Sequence, residues 1–185
     1  MLPKVIPVIE YVLGLGQEIS MKPSRKSDRT SPCVYILVVV FVIVTIAGSL
    51  FCSVFANQML LYKATNGNSG SIRRLISSGA DINTVDNNRT PLLYAIEGHE
   101  IENAIALING GADVNFAQKD NKNTPLMAAA YYGEMPVVKL LVSRGANINA
   151  RDIAGESVLG WAEDGRKDGY GAEAEALLKK LGAVK

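Results

Sequence analysis

The chain has 185 residues, with 19 Lys and Arg balanced by 18 Asp and Glu, one His and two Cys. That length allows one domain with extensions. The near-zero net charge leaves out a nucleic-acid binder, which needs a positive stripe. From residue 57 onward there is a single His, no Cys, and 14 Lys and Arg against 15 Asp and Glu, a net −1. Nucleophile–base pairs and mixed metal sets are therefore hard to assemble in that part.

The N-terminus reads in three pieces. Residues 1–20, MLPKVIPVIEYVLGLGQEIS, are too short to span a membrane and are interrupted by Pro3, Pro7 and Glu10. An export signal begins close to its basic region, so Met21 is read as the start of the functional chain. Lys22, Arg25, Lys26 and Arg29, offset by Asp28, then form a basic stretch. Val34 to Ala56 follows as 23 residues without a charge, long enough to cross a hydrocarbon layer of about 30 Å. The next 15 residues hold one charge, Lys63, so the positive-inside rule places the N-terminus in the cytoplasm and the rest across the membrane.

Two readings of residues 34–56 compete. The length fits a retained transmembrane anchor, and the ending Val54-Phe55-Ala56 fits a signal peptide cleaved after Ala56. Phe51 is too bulky before Cys52 for a lipoprotein signal. Both readings export the C-terminal part. A Cys-free domain agrees with an oxidising compartment.

Beyond residue 56 the sequence repeats. TPLLYAIEGH from Thr90, TPLMAAAYYG from Thr124 and SVLGWAEDGR from Ser157 align, as do SSGADIN from Ser77, NGGADVN from Asn109 and SRGANIN from Ser143. Gly-Ala pairs fall at 79–80, 111–112, 145–146 and 182–183, a period near 33. Four units result, at about 58–86, 87–119, 120–152 and 153–185.

Within a unit, Thr is a helix N-cap and Pro suits the first turn. Ala129 and Ala130 permit close packing. Gly133 turns the chain between helices, and Val137, Val138, Leu140 and Leu141 make the apolar side of a second helix. Gly145 ends that helix and Asn149 leads to the next unit. The outer units read as caps. The first lacks Thr-Pro and exposes Asn66, Asn68, Ser69 and Ser71. The last has EDGRKDGYG as a helix–helix turn about four residues too long, with Gly165, Gly169 and Gly171 making it flexible, then a helix apolar at Leu177, Leu178 and Leu181. In the second unit the interhelical Gly falls on His99.

These motifs resemble the ankyrin-repeat family over about residues 60–185. The resemblance implies an all-α, ankyrin-repeat solenoid of about four helix–turn–helix repeats with hairpin-type loops, and a non-catalytic protein–protein interaction module. Partner contacts in that family come from hairpin tips and from variable positions late in the first helix. Carried over, these are Asn87, Asn88, Arg89, Lys119, Asn121, Lys122, Asn123, Arg151, Ile153 and Ala154 at tips, and Glu97, Gly98, Tyr131, Tyr132, Asp164 and Gly165 on helices. Asn88, Arg89, Glu97, Lys119, Lys122, Tyr131, Tyr132, Arg151 and Asp164 are the candidate partner-binding set.

Tyr131 and Tyr132 stand out, because adjacent tyrosines offer a large amphipathic area at low entropy cost. Trp161 is expected in the core, in the slot held by Tyr94 and Ala128. His99 is read as a turn residue, and the acid pairs Asp152/Glu156 and Asp164/Asp168 as loop formers. No catalytic residue, cofactor, metal or small-molecule substrate is expected, and the partner is another protein.

Small exported proteins of this kind in bacteria imply an inner-membrane, single-pass protein with its repeats in the periplasm, or a secreted periplasmic form. An inhibitor or immunity protein, and a structural tether, are the alternatives.

Overall fold

The computed structural model describes Val42 and residues 52–185. The expected segments 1–33 and most of 34–56 lie outside the described residues. Among the described residues, no helix is long and apolar enough to cross a membrane. The chain divides into two compact units, Met1–Ala47 and Gly48–Lys185. Among the described residues of the second there are eight helices, with 52–66 helical as α1. The others are α2 (Ser69–Ser77), α3 (Pro91–Glu97), α4 (Ile101–Asn109), α5 (Pro125–Tyr131), α6 (Met135–Ser143), α7 (Val158–Lys167) and α8 (Ala172–Lys180). Residues 52–56, the end of the long apolar segment, belong to α1. The boundary expected after residue 56 therefore falls inside a helix.

The helices pair as the repeats predict. The first helices α3, α5 and α7 pack side by side, and the second helices α2, α4, α6 and α8 form a parallel outer layer. One core runs through both layers, from Leu60, Ala64 and Ile72 through Leu92, Ile96, Leu107, Leu126, Met127, Val137 and Leu141 to Val158, Ala162 and Leu178. Each unit covers its neighbour's apolar face, which no unit can bury alone.

The recurring phrases have local causes. Thr90, Thr124 and Ser157 accept backbone N–H bonds from Leu93, Met127 and Gly160 at 3.4, 3.3 and 3.2 Å, capping α3, α5 and α7. The Gly-Ala pairs close Schellman turns. Gly79, Gly111, Gly145 and Gly182 all have φ between 83° and 92°, and the Ala after each donates to the carbonyl five residues back, Ala146 to Leu141 at 3.0 Å.

Asparagines stitch the units together. Asn57 Oδ1 accepts from Asp81 N, Asn83 from Asp113, Asn115 from Asn147 and Asn149 from Val184, at 2.7–3.0 Å. The hairpins are slight, reduced to single bridges Asp86–Arg89 and Arg151–Ser157 among the described residues.

The fourth unit departs from expectation. EDGRK is not turn but helix: α7 has 10 residues against 7 in α3 and α5, leaving Asp168–Gly171 as the turn. Gly165 and Gly171 are buried contact glycines rather than flexible ones. A Cβ on Gly165 would lie 2.0 Å from the Tyr131 carbonyl oxygen, and one on Gly171 would lie 2.3 Å from that of Ala162. Only Gly169, at φ 97° with open space around it, acts as a turn glycine. Leu178 is buried, whereas Leu181 is 43% exposed and stands at the C-cap of α8.

Candidate functional site

The first helices present one face, and the candidate residues divide along it. In the second unit, Arg89 Nε pairs with Glu97 Oε2 at 2.6 Å and its guanidinium lies 5.8 Å from the Tyr94 ring centre. Asn88, at φ 63°, sits in the tip beside it. In the third, Lys119 and Lys122 are exposed. Lys122 and Arg151 share an open cleft of about 480 Å³ with Asn115 and Asn147 between successive hairpins. Arg151 is exposed, and its guanidinium donates to the backbone oxygens of Gly155 and Lys185 at 2.7 Å each, and so ties the last hairpin to the C-terminus. Asp164 pairs with Lys167 at 2.6 Å.

Tyr131 and Tyr132 come together with residues that the sequence reading set apart. The Tyr132 ring lies 4.7 Å from His99 and 5.2 Å from Tyr131, and Tyr131 lies 6.1 Å from Trp161, all edge to face. Trp161 is half-buried rather than core. Its ring packs against the core, but Nε1 reaches out to donate to Asp152 Oδ2 at 3.0 Å. The Tyr131 hydroxyl donates to Asp168 Oδ2. That bond to a carboxylate, with some burial, raises the Tyr131 pKa and holds the phenol protonated.

Asp168 was not legible from spacing, because the extension of α7 displaces it from the repeat register, and the Trp161–Asp152 bond was not, because spacing does not orient a ring. The shared slot of Trp161 and Tyr94 was the one available signal. It marked the position without showing which way the ring edge points.

His99 is more than a turn residue. At φ 59° it occupies the place held by Gly133 at φ 68°, and its Nδ1 lies 3.2 Å from Glu134 Oε1. Glu134 is 6% exposed, and its other oxygen has no hydrogen-bond partner. The unit before shows why. There Glu100 occupies the same N-cap position and receives a bond from Asn103, three residues on. Val137 stands at that place after Glu134. Burial pushes the Glu134 pKa up, and the His99 contact opposes it.

Asn103 itself is buried and was not singled out by the sequence. Its side-chain amide faces the carbonyls of Ala64 and Gly67 at 3.2 and 3.1 Å, closing the C-terminal end of α1.

Among the described residues, no group of three or more His, Cys, Asp and Glu is placed to hold a metal. Stacked helical hairpins with an aromatic and charged inner face define a solenoid built for contact with other molecules. The chain belongs to the ankyrin-repeat family. Residues 60–152, just over half of its length, match the family described as ankyrin repeats (3 copies).

It is 33% identical over 98 residues to inversin of Gallus gallus, covering 52% of this chain and 9% of that protein. It is 32% identical over 108 residues to palmitoyltransferase ZDHHC17 of Homo sapiens, covering 52% and 17%. With BRCA1-associated RING domain protein 1 of Caenorhabditis elegans the identity is 29% over 100 residues, covering 54% and 14%. The chain thus spans under a fifth of these relatives' lengths, and the similarity marks it as a protein-interaction module.

Proposed function

We propose that the repeats bind a protein partner through the face lined by α3, α5 and α7, and that the apolar segment anchors them on the far side of a bacterial inner membrane. The observation that carries the binding reading is the run of rings, exposed His99 and half-buried Tyr132, Tyr131 and Trp161, laid across three successive units. Exposed aromatics of this kind provide interface anchors. Anchoring rests on the uncharged Val34–Ala56 segment and its one-sided basic flank.

The start of the repeats favours a retained segment. Val54 and Phe55 stand 65% and 60% exposed on α1, apolar side chains on a helix that leads back toward the apolar run. Ala56 packs against the core and Asn57, the residue after the cleavage point, holds Asp81 N at 2.7 Å, so cleavage would cut α1 where it already meets the stack.

Two experiments test the reading. Cross-linking and co-purification of the tagged chain from membranes should enrich one protein with wild type and lose it with a Tyr131→Ala/Tyr132→Ala variant of unchanged circular dichroism. Retention of the same partner by the variant removes the face from the proposal. A reporter fused after residue 60 should be active only outside the cytoplasm of a Gram-negative host, and cytoplasmic activity overturns the anchoring.

A further inference from the structure

The chemistry of the aromatic run identifies what the partner brings to it, provided that this face is the binding face. The single Trp of the chain and three of its seven Tyr, at 131, 132 and 170, occur within 40 residues of sequence. Trp161 and Tyr131 lie 6.1 Å apart, and each donates its polar hydrogen to a carboxylate: Trp161 Nε1 to Asp152 and the Tyr131 hydroxyl to Asp168. Both donors are neutral, so neither acid loses its charge in these bonds. Donation to an anion also enriches the ring's electrons, which strengthens the attraction of its face for a cation.

Nearby cations do not fill this role. Lys167 pairs with Asp164, Arg166 with Glu175, and Lys179 and Lys185 with Glu163. Arg151, next in sequence to Asp152, turns to two carbonyls. Among the described residues, Asp152 and Asp168 are left without an ion pair, one at the polar edge of each ring. Two rings bracketed by two uncompensated carboxylates form a surface complementary to a flat cation.

We propose that this surface takes an arginine side chain from an extended segment of the partner protein, with the guanidinium stacked on one of these two near-perpendicular rings, beside the other, and bonded to Asp152 or Asp168. A guanidinium fits better than an ammonium, because it stacks on rings and meets a carboxylate with a planar fork.

Trp161 supplies the readout. The full-length chain in mild detergent is titrated with a capped Gly-Arg-Arg-Gly peptide, with the same peptide carrying citrulline in place of arginine, and with Gly-Glu-Glu-Gly, while Trp161 emission is followed. The arginine peptide should shift the emission saturably. Citrulline keeps the shape and removes the charge, and should weaken binding by about tenfold or more. Asp152→Asn/Asp168→Asn should weaken the arginine peptide by a similar factor at unchanged circular dichroism, and Tyr131→Phe, which keeps the ring, should retain most of the binding. Equal binding of the citrulline or glutamate peptide, or indifference to the Asn pair, overturns the proposal. If the arginine peptide leaves Trp161 unmoved while membrane co-purification remains dependent on Tyr131 and Tyr132, the face still docks a protein and the arginine is refuted.

Discussion

Gly165→Ala separates two physical effects of opposite sign. Gly165 lies inside α7, and exchanging an interior helical glycine for alanine gains about 1 kcal/mol of helix propensity. The tertiary structure forbids the gain. The new Cβ would stand 2.0 Å from the Tyr131 carbonyl oxygen, 2.7 Å from its carbon and 2.8 Å from its Cα, all backbone atoms of α5. Clearance requires α5 and α7 to part by roughly 1 Å or more, loosening the core in which Ala130 and Ala162 are buried. A backbone clash this close lies at the upper end of the about 1–3 kcal/mol that overpacking costs, so after the helix gain a net loss of roughly 2 kcal/mol is expected.

Gly160→Ala is the control in the same helix. There the Cβ meets the Glu156 side chain, 2.7 Å from Oε1, and Glu156 is exposed and able to swing away. That variant should gain up to about 1 kcal/mol. Urea unfolding followed by circular dichroism and Trp161 fluorescence measures both. A Gly165→Ala protein as stable as wild type would refute the close-contact reading of α7.

Three further outcomes are expected. Asn103→Val, which copies the third unit's residue into the second, should cost roughly 1–3 kcal/mol by leaving the last carbonyls of α1 unpaired. Hydrogen exchange should then speed up in residues 57–66, and unchanged protection there would contradict the assignment.

Glu134→Gln should stabilise the protein at pH 7 by an amount on the order of 1 kcal/mol, because it removes a buried charge with one unpaired oxygen. The sign follows from linkage. The folded-state pKa of Glu134 lies above the unfolded value of 4.5, so the wild type loses this contribution as pH rises from 4.5 through the folded value. The variant should lose that slope, and a destabilised variant at pH 7 would show that the His99 pairing outweighs the burial.

Thr124→Ala removes the cap of α5 and should cost about 1 kcal/mol in the same urea assay.

The sequence alone determined what is local and periodic. Thr-Pro starts, Gly-Ala ends and the spacing between them follow from capping and left-handed backbone geometry within a few residues. Repetition then fixes the stacking, because no unit buries its own apolar face. His99 was legible as the stand-in for the interhelical glycine for the same reason.

What joins residues far apart in sequence was decided by the tertiary structure. EDGRK carries turn-like Asp and Gly, yet it is helical because Gly165 lets α7 close onto α5. Arg151 has the residue type of a contact residue, and its donors go to its own chain. Tyr131 gains its meaning from Asp168, 37 residues away, and Trp161 from the side of the ring that Asp152 holds. Periodicity assigns a residue to a face. Which neighbour it meets there, and whether its charge is already matched, depends on distances that exist only once the helices are packed.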